Sequence, residues 1–120
     1  MATVVVLDDD RPLAALLANV VEESGREAIA VGALEDVPST VEAAGVITDL
    51  IGVHAYDAAK AREWVRRVRD RFRGAPIIVV TGHVEALNEQ DALGADAVIG
   101  KPFDVATLLW TIERHIRKTP

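Results

Sequence analysis

Apolar residues along this chain arrive in two alternating rhythms. Short continuous runs rich in β-branched residues cover positions 3–7, 27–31, 46–48, 76–80 and 97–99. Glycine, proline or acidic residues bound most of these runs, as expected of short buried strands. Between them the apolar residues fall three and four apart, which marks one face of a helix. Leu13, Leu16, Leu17, Val20 and Val21 form the first stripe, with Asp10 as its cap, Pro12 in its first turn and Gly25 as its stop. Residues 34–44 predict only a weak helix, because Pro38 breaks its start and leaves 39–44 as the helical part. Ala61, Trp64, Val65, Val68 and Phe72 form a third stripe, opened by Asp57 and ended by Gly74. A fourth helix over 84–93 is the least apolar, carries Glu85, Glu89 and Asp91, and ends at Gly94. Val105, Leu108, Leu109, Ile112 and Ile116 form the last stripe, opened by Asp104. Positions 52–56 and 81–83 read as loops, and 117–120 as a frayed tail.

Strand and helix therefore alternate five times, without internal repeat or low-complexity tract. That order predicts an α/β fold, a parallel sheet with helices on both faces and right-handed crossovers. At 120 residues the chain reads as a single domain spanning 1–120, able to bury roughly two-thirds of its unfolded surface. In an open parallel sheet the C-terminal strand tips gather along one edge, where ligands bind. Asp49, closing the run Val46-Ile47-Thr48, stands at the centre of that edge. Asp8, Asp9 and Asp10 follow the first strand, Thr81 the fourth, and Gly100-Lys101-Pro102 the fifth.

Composition narrows the chemistry. The chain has no cysteine, so disulfides, thiolate metal sites and a cysteine nucleophile are excluded. No apolar run approaches the roughly 18 residues of a membrane helix. Met1 leads straight into a strand without a basic leader or cleavage site, so a cytoplasmic protein is expected. The net charge of −6 argues against nucleic-acid binding by this domain, which would need a basic face. Arg62, Arg66, Arg67, Arg69, Arg71 and Arg73 wrap around the polar sides of one helix, interrupted by Glu63 and Asp70, and read as a solvated face. His54, His83 and His115 have no ligand spacing and read as surface residues. Trp64 belongs to a core stripe. Trp110 lies off its helix's stripe, where an exposed tryptophan would mark a partner surface.

Asp8, Asp9 and Asp49 would crowd one small region. Two carboxylates 4 Å apart repel by about 4 kcal/mol at an effective dielectric near 20, so the cluster calls for a cation. An all-oxygen donor set suits a hard ion such as Mg²⁺. Lys101 brings a fixed positive charge and Thr81 a hydroxyl donor. A metal ion, an ammonium and a hydroxyl around one carboxylate are what phosphoryl transfer to that carboxylate requires.

These residues carry a family resemblance. Leu7-Asp8-Asp9-Asp10, Thr48-Asp49-Leu50, Val80-Thr81-Gly82-His83 and the segment from Gly94 through Lys101-Pro102-Phe103 stand in order, each at an expected strand tip. Over essentially its whole length the chain resembles the receiver domain of two-component response regulators. The resemblance implies a flavodoxin-like doubly wound sheet of five parallel strands in the order 2-1-3-4-5. It implies Asp49 as phosphoacceptor, with a histidine kinase or phosphotransfer protein as donor. It implies Mg²⁺ on Asp9, Asp49 and the Ile51 backbone carbonyl, with Asp8 acting through water, and phosphoryl oxygens held by Thr81 and Lys101. It implies a cis Lys101-Pro102 bond. Partners would be that donor and a downstream target or output domain, with a homodimer through the fourth helix, fifth strand and fifth helix left open. No membrane partner is implied, and no enzymatic activity beyond self-phosphorylation from small donors and slow loss of the phosphate.

The sequence also departs from that family. The usual Met-Pro pair after the phosphoacceptor is replaced by Ile51-Gly52-Val53-His54. The aromatic residue usual three positions before the lysine is Val98, which has no ring to swing between rotamers. The fourth helix looks short. Ile51 and His83, each two residues past a site residue, would tune phosphate lifetime, Ile51 by failing to orient water and His83 by positioning it. Two other readings remain: a degenerate receiver that binds partners without phosphorylation, and a haloacid-dehalogenase-like phosphohydrolase, suggested by Asp8 and Asp10 but opposed by Pro12.

Overall fold

A computed structural model describes residues 2–118. Its core is a five-stranded parallel sheet in the order β2-β1-β3-β4-β5. The strands are β1 (Ala2–Leu7), β2 (Ala28–Val31), β3 (Glu42–Thr48), β4 (Ile77–Thr81) and β5 (Ala97–Gly100). The helices are α1 (Arg11–Glu23), α2 (Ala58–Arg71), the short α3 (Val84–Leu87) and α4 (Gln90–Leu93), and α5 (Val105–His115). Fold class and strand order are those read from the sequence. The tail expected at 117–120 falls partly outside the described residues, at 119 and 120.

Alternation along each buried strand sends side chains to two cores. Val4, Val6, Ile47, Ile78, Val80 and Ile99 meet Leu17, Val20 and Val21 of α1 and Leu108 and Ile112 of α5. Val5, Leu7, Val46, Ile77 and Val79 face the other way, toward Trp64, Val65 and Val68 of α2. The expected caps form. Asp10, Asp57 and Asp104 each accept a hydrogen bond from a backbone N–H in the first turn of the following helix. Two stripe residues are misjudged by the sequence reading: Leu16 and Val105 are exposed at 45% and 42%, and Ala14 is buried in α1 instead.

The weak second helix does not form. A single 3-10 turn at Leu34–Asp36 takes its place, and β3 begins at Glu42 rather than at 46. Pro38 cannot donate to a helix, and β-branched Val37, Thr40 and Val41 favour extended backbone. The added strand pairs Ala2 with Glu42 and Thr3 with Ala43, then skips Ala44 so that Val4 faces Gly45. That bulge keeps Val46 and Ile47 on their proper faces. Gly45 lies under the end of α5, where a Cβ would come within 2.6 Å of Ile116 Cδ1.

Three of the arginines expected on a solvated face stay partly open to water and also hold neighbouring segments. Arg67 pairs with Glu35, and Arg71 donates to the carbonyls of Val37 and Pro38, so both hold the segment that replaces the helix. Arg69 donates to the Gly94 carbonyl and reaches Asp96, whose carboxylate accepts from the Ile77 N–H at the start of β4. The fourth helix is split into α3 and α4 by Asn88 and Glu89, a further shortening of an element that already looked short.

Candidate functional site

The C-terminal tips of β1, β3, β4 and β5 converge, as the topology requires. Backbone pairing fixes the tips first: the Asp49 N–H donates to the Leu7 carbonyl, and the Lys101 N–H to the Thr81 carbonyl. These bonds set Asp8 beside Asp49 and Lys101 beside Thr81. Lys101 Nζ then lies 3.1 Å from Asp8 Oδ2 and 3.0 Å from Asp49 Oδ2, bridging the two carboxylates. The remaining oxygen of each is also engaged. Asp8 Oδ1 accepts from the Asp10 N–H, and Asp49 Oδ1 from the Leu50 N–H. The Lys101-Pro102 bond is cis.

Asp8, Asp9 and Asp49 each offer a carboxylate oxygen, and these oxygens lie within 4.8 Å of one another. Asp8 is buried, Asp49 is half-buried and Asp9 faces solvent. A hard cation fits this set, because it is made of oxygen alone and opens to water on the Asp9 side. Burial pushes the Asp8 carboxyl above its usual pKa, against the Asp10 N–H and Lys101, which favour its charge. Burial also opposes the charge on Lys101, but its hydrogen bonds and attraction to Asp49 and Asp8 outweigh it and raise its pKa. Burial, rather than a missing partner, is thus what disfavours the charged form of Asp8.

No family model matches the sequence. A response regulator receiver protein of Anaeromyxobacter sp. (strain Fw109-5) is 43% identical over 54 residues, which are 45% of this chain. The match spans only 21% of that relative's length. The chemotaxis response regulator CheY4 of Vibrio cholerae superposes with a TM-score of 0.73 at 24% identity, over 95% of this chain and 98% of that one. A response regulator of Burkholderia pseudomallei, solved with a phosphorylated aspartic acid, calcium ion and citrate, gives 0.67 at 20% identity, over 91% and 65% of the two chains. This is the fold of a response regulator receiver domain. Over those 54 residues the chain also resembles a response regulator receiver protein in sequence.

Within the receiver fold, two supports of the site were not legible in the sequence. Thr48 Oγ1 donates to the Asp49 carbonyl at 2.7 Å and accepts from Trp64 Nε1 at 3.0 Å. Trp64 thus braces the strand end that carries Asp49 as well as filling the core. A polar threonine closing an apolar run, directly before the key carboxylate, was the available signal. His83 is the other. Its Nε2 stands 2.6 Å from the Val53 carbonyl, and its ring packs at 5.7 Å from that of Tyr56. Nε2 is thus engaged with the loop after Asp49, which leaves only Nδ1 for the expected water. His54 is exposed, as expected for a surface histidine, and His115 is half-buried. The Ile51 side chain packs partly against the core in the turn following Asp49. Asp10 caps α1, as expected. Trp110 is 61% exposed beneath the Arg114 guanidinium. No described helix is long and apolar enough to cross a membrane.

Proposed function

We propose that this chain is a phosphoacceptor domain that takes a phosphoryl group onto Asp49 from a histidine kinase or phosphotransfer protein. The observation that supports it best is Lys101 bridging Asp8 and Asp49 beside an oxygen of Asp9. In the transfer, an Asp49 oxygen forms a bond to phosphorus while the phosphorus–donor bond breaks, and the donor leaves with that electron pair. Lys101 lies where it can offset charge on the moving oxygens. Thr81 Oγ1 accepts from the His83 N–H, so its own hydrogen remains available to a phosphoryl oxygen. Mg²⁺ held by Asp8, Asp9, Asp49 and the Ile51 carbonyl would add positive charge at the same place.

On this reading the domain is not an enzyme beyond self-phosphorylation and slow hydrolysis of its own acyl phosphate, and it works in the cytoplasm. Its output goes to a protein target or an attached output domain, with α3–α4, β5 and α5 as the face for a target or a second copy. A second reading, a partner-binding module that needs no phosphate, draws on the unusual loop after Asp49. Acetyl phosphate separates the two. Intact mass should gain one phosphoryl group only when Mg²⁺ is present, and Asp49→Asn should abolish the gain. No adduct in the wild type would overturn the phosphoacceptor reading.

A further inference from the structure

We infer that His83 is a positioning residue, and that with Tyr56 it latches the Asp49 loop to the α3–α4 segment. The inference rests on the phosphoacceptor reading. Four contacts form one path. The His83 N–H donates to Thr81 Oγ1 at 3.1 Å, tying it to a site residue. A carbonyl can only accept, so the 2.6 Å contact to the Val53 oxygen makes Nε2 of His83 the donor. Val53 is buried, four residues beyond Asp49, so this bond anchors the loop that carries the phosphoacceptor. The His83 ring packs against Tyr56 at 5.7 Å and 48°. The Tyr56 hydroxyl donates to Glu89 Oε1, between α3 and α4.

The far end of the path is the part of the fold best able to respond. α3 and α4 have four residues each, far below the length at which a helix holds itself, so tertiary contacts decide their arrangement. If Thr81 moves to meet a phosphoryl oxygen, His83 moves with it. The ring then either carries Val53 along or releases it, and in both cases Tyr56 and Glu89 lose their present geometry. The latch thereby gives the domain a ring-based connection that Val98 on β5 does not supply.

The test is amide NMR on wild type, His83→Ala, His83→Gln and Tyr56→Phe, each before and after Mg²⁺ with acetyl phosphate. In wild type, signals from 49–53 and 87–90 should shift together. In His83→Ala and Tyr56→Phe the response at 49–53 should persist while that at 87–90 falls by about half or more. His83→Gln, which can still donate to Val53, should restore the unmodified Val53 signal that His83→Ala displaces. Undiminished shifts at 87–90 in both His83→Ala and Tyr56→Phe would overturn the latch, as would failure of His83→Gln to restore Val53. Should the wild type take no phosphoryl group, the phosphoacceptor reading falls, and the latch is judged on the unmodified protein. There His83→Ala must move the Val53 and Glu89 signals together, and movement at Val53 alone overturns it.

Discussion

Tyr56 is the only tyrosine in the chain, which makes it a direct reporter of its own surroundings. Burial and the hydrogen bond to Glu89 push its hydroxyl up to about 12. Ultraviolet titration at the phenolate band should therefore show one transition well above the ordinary tyrosine value of about 10. Glu89→Gln should bring it down, because it removes the carboxylate that accepts from the hydroxyl. The sign for stability follows. A folded pKa above the unfolded one favours folding fully below about pH 10, and that contribution is lost as pH rises toward 12. A transition at the ordinary value would mean that the Tyr56–Glu89 bond does not form. Neither this pair nor His83 with Val53 was legible in the sequence, because the partners lie 33 and 30 positions apart and share no periodic pattern. The site acids and Lys101 were legible because each ends an apolar run, and strand tips converge in any parallel sheet.

At the scale of elements, continuous β-branched runs and aspartate caps made the strands and three long helices readable. The segment before β3 was not. Val41, Ala43 and Ala44 fit a helix face or a strand almost equally well, and the pairing with β1 decides between them. Leu16 misled because one large apolar residue on a helix does not reveal which face is covered. The bulge at Ala44 and the bare Cα of Gly45 let α5 settle onto β3, with Ile116 2% exposed. Gly45→Ala should cost about 1–3 kcal/mol in denaturant unfolding, since the new methyl overpacks a branched, buried side chain. Adding Ile116→Val should recover part of the loss by removing Cδ1, the nearest atom. An undiminished midpoint in the single variant would mean that α5 does not rest on Gly45.

For the whole molecule, the carboxylate cluster links cation binding to folding. A ligand at about 100 times its dissociation constant stabilises the native state by about 2.7 kcal/mol. For a chain of this length that is roughly 10 °C in Tm by average unfolding entropies. Mg²⁺ should therefore raise Tm, and Asp9→Asn or Asp49→Asn should remove most of the rise in differential scanning calorimetry. An equal rise in all three proteins would place the ion elsewhere. The strand order came with the family resemblance, while the parallel sheet and the edge where its strand tips meet were readable from the alternation of strand and helix. The division of labour between the two faces was not, since it turns on a helix that fails to form.

That missing helix gives the molecule unequal resilience. On one face, α1 and α5 seal the sheet with long apolar stripes. On the other, the corner beside β2 is closed by a single turn, Leu34 and Val37, and guanidinium contacts from α2. The Arg67–Glu35 pair is open to water, with side chains 48% and 72% exposed, and exposed pairs add little. Local opening costs least where few apolar contacts must separate. The β2 corner therefore joins α3–α4 as a place where the native state opens at low cost, and the strand edge there can loosen while the centre of the sheet, Asp49 included, keeps its register.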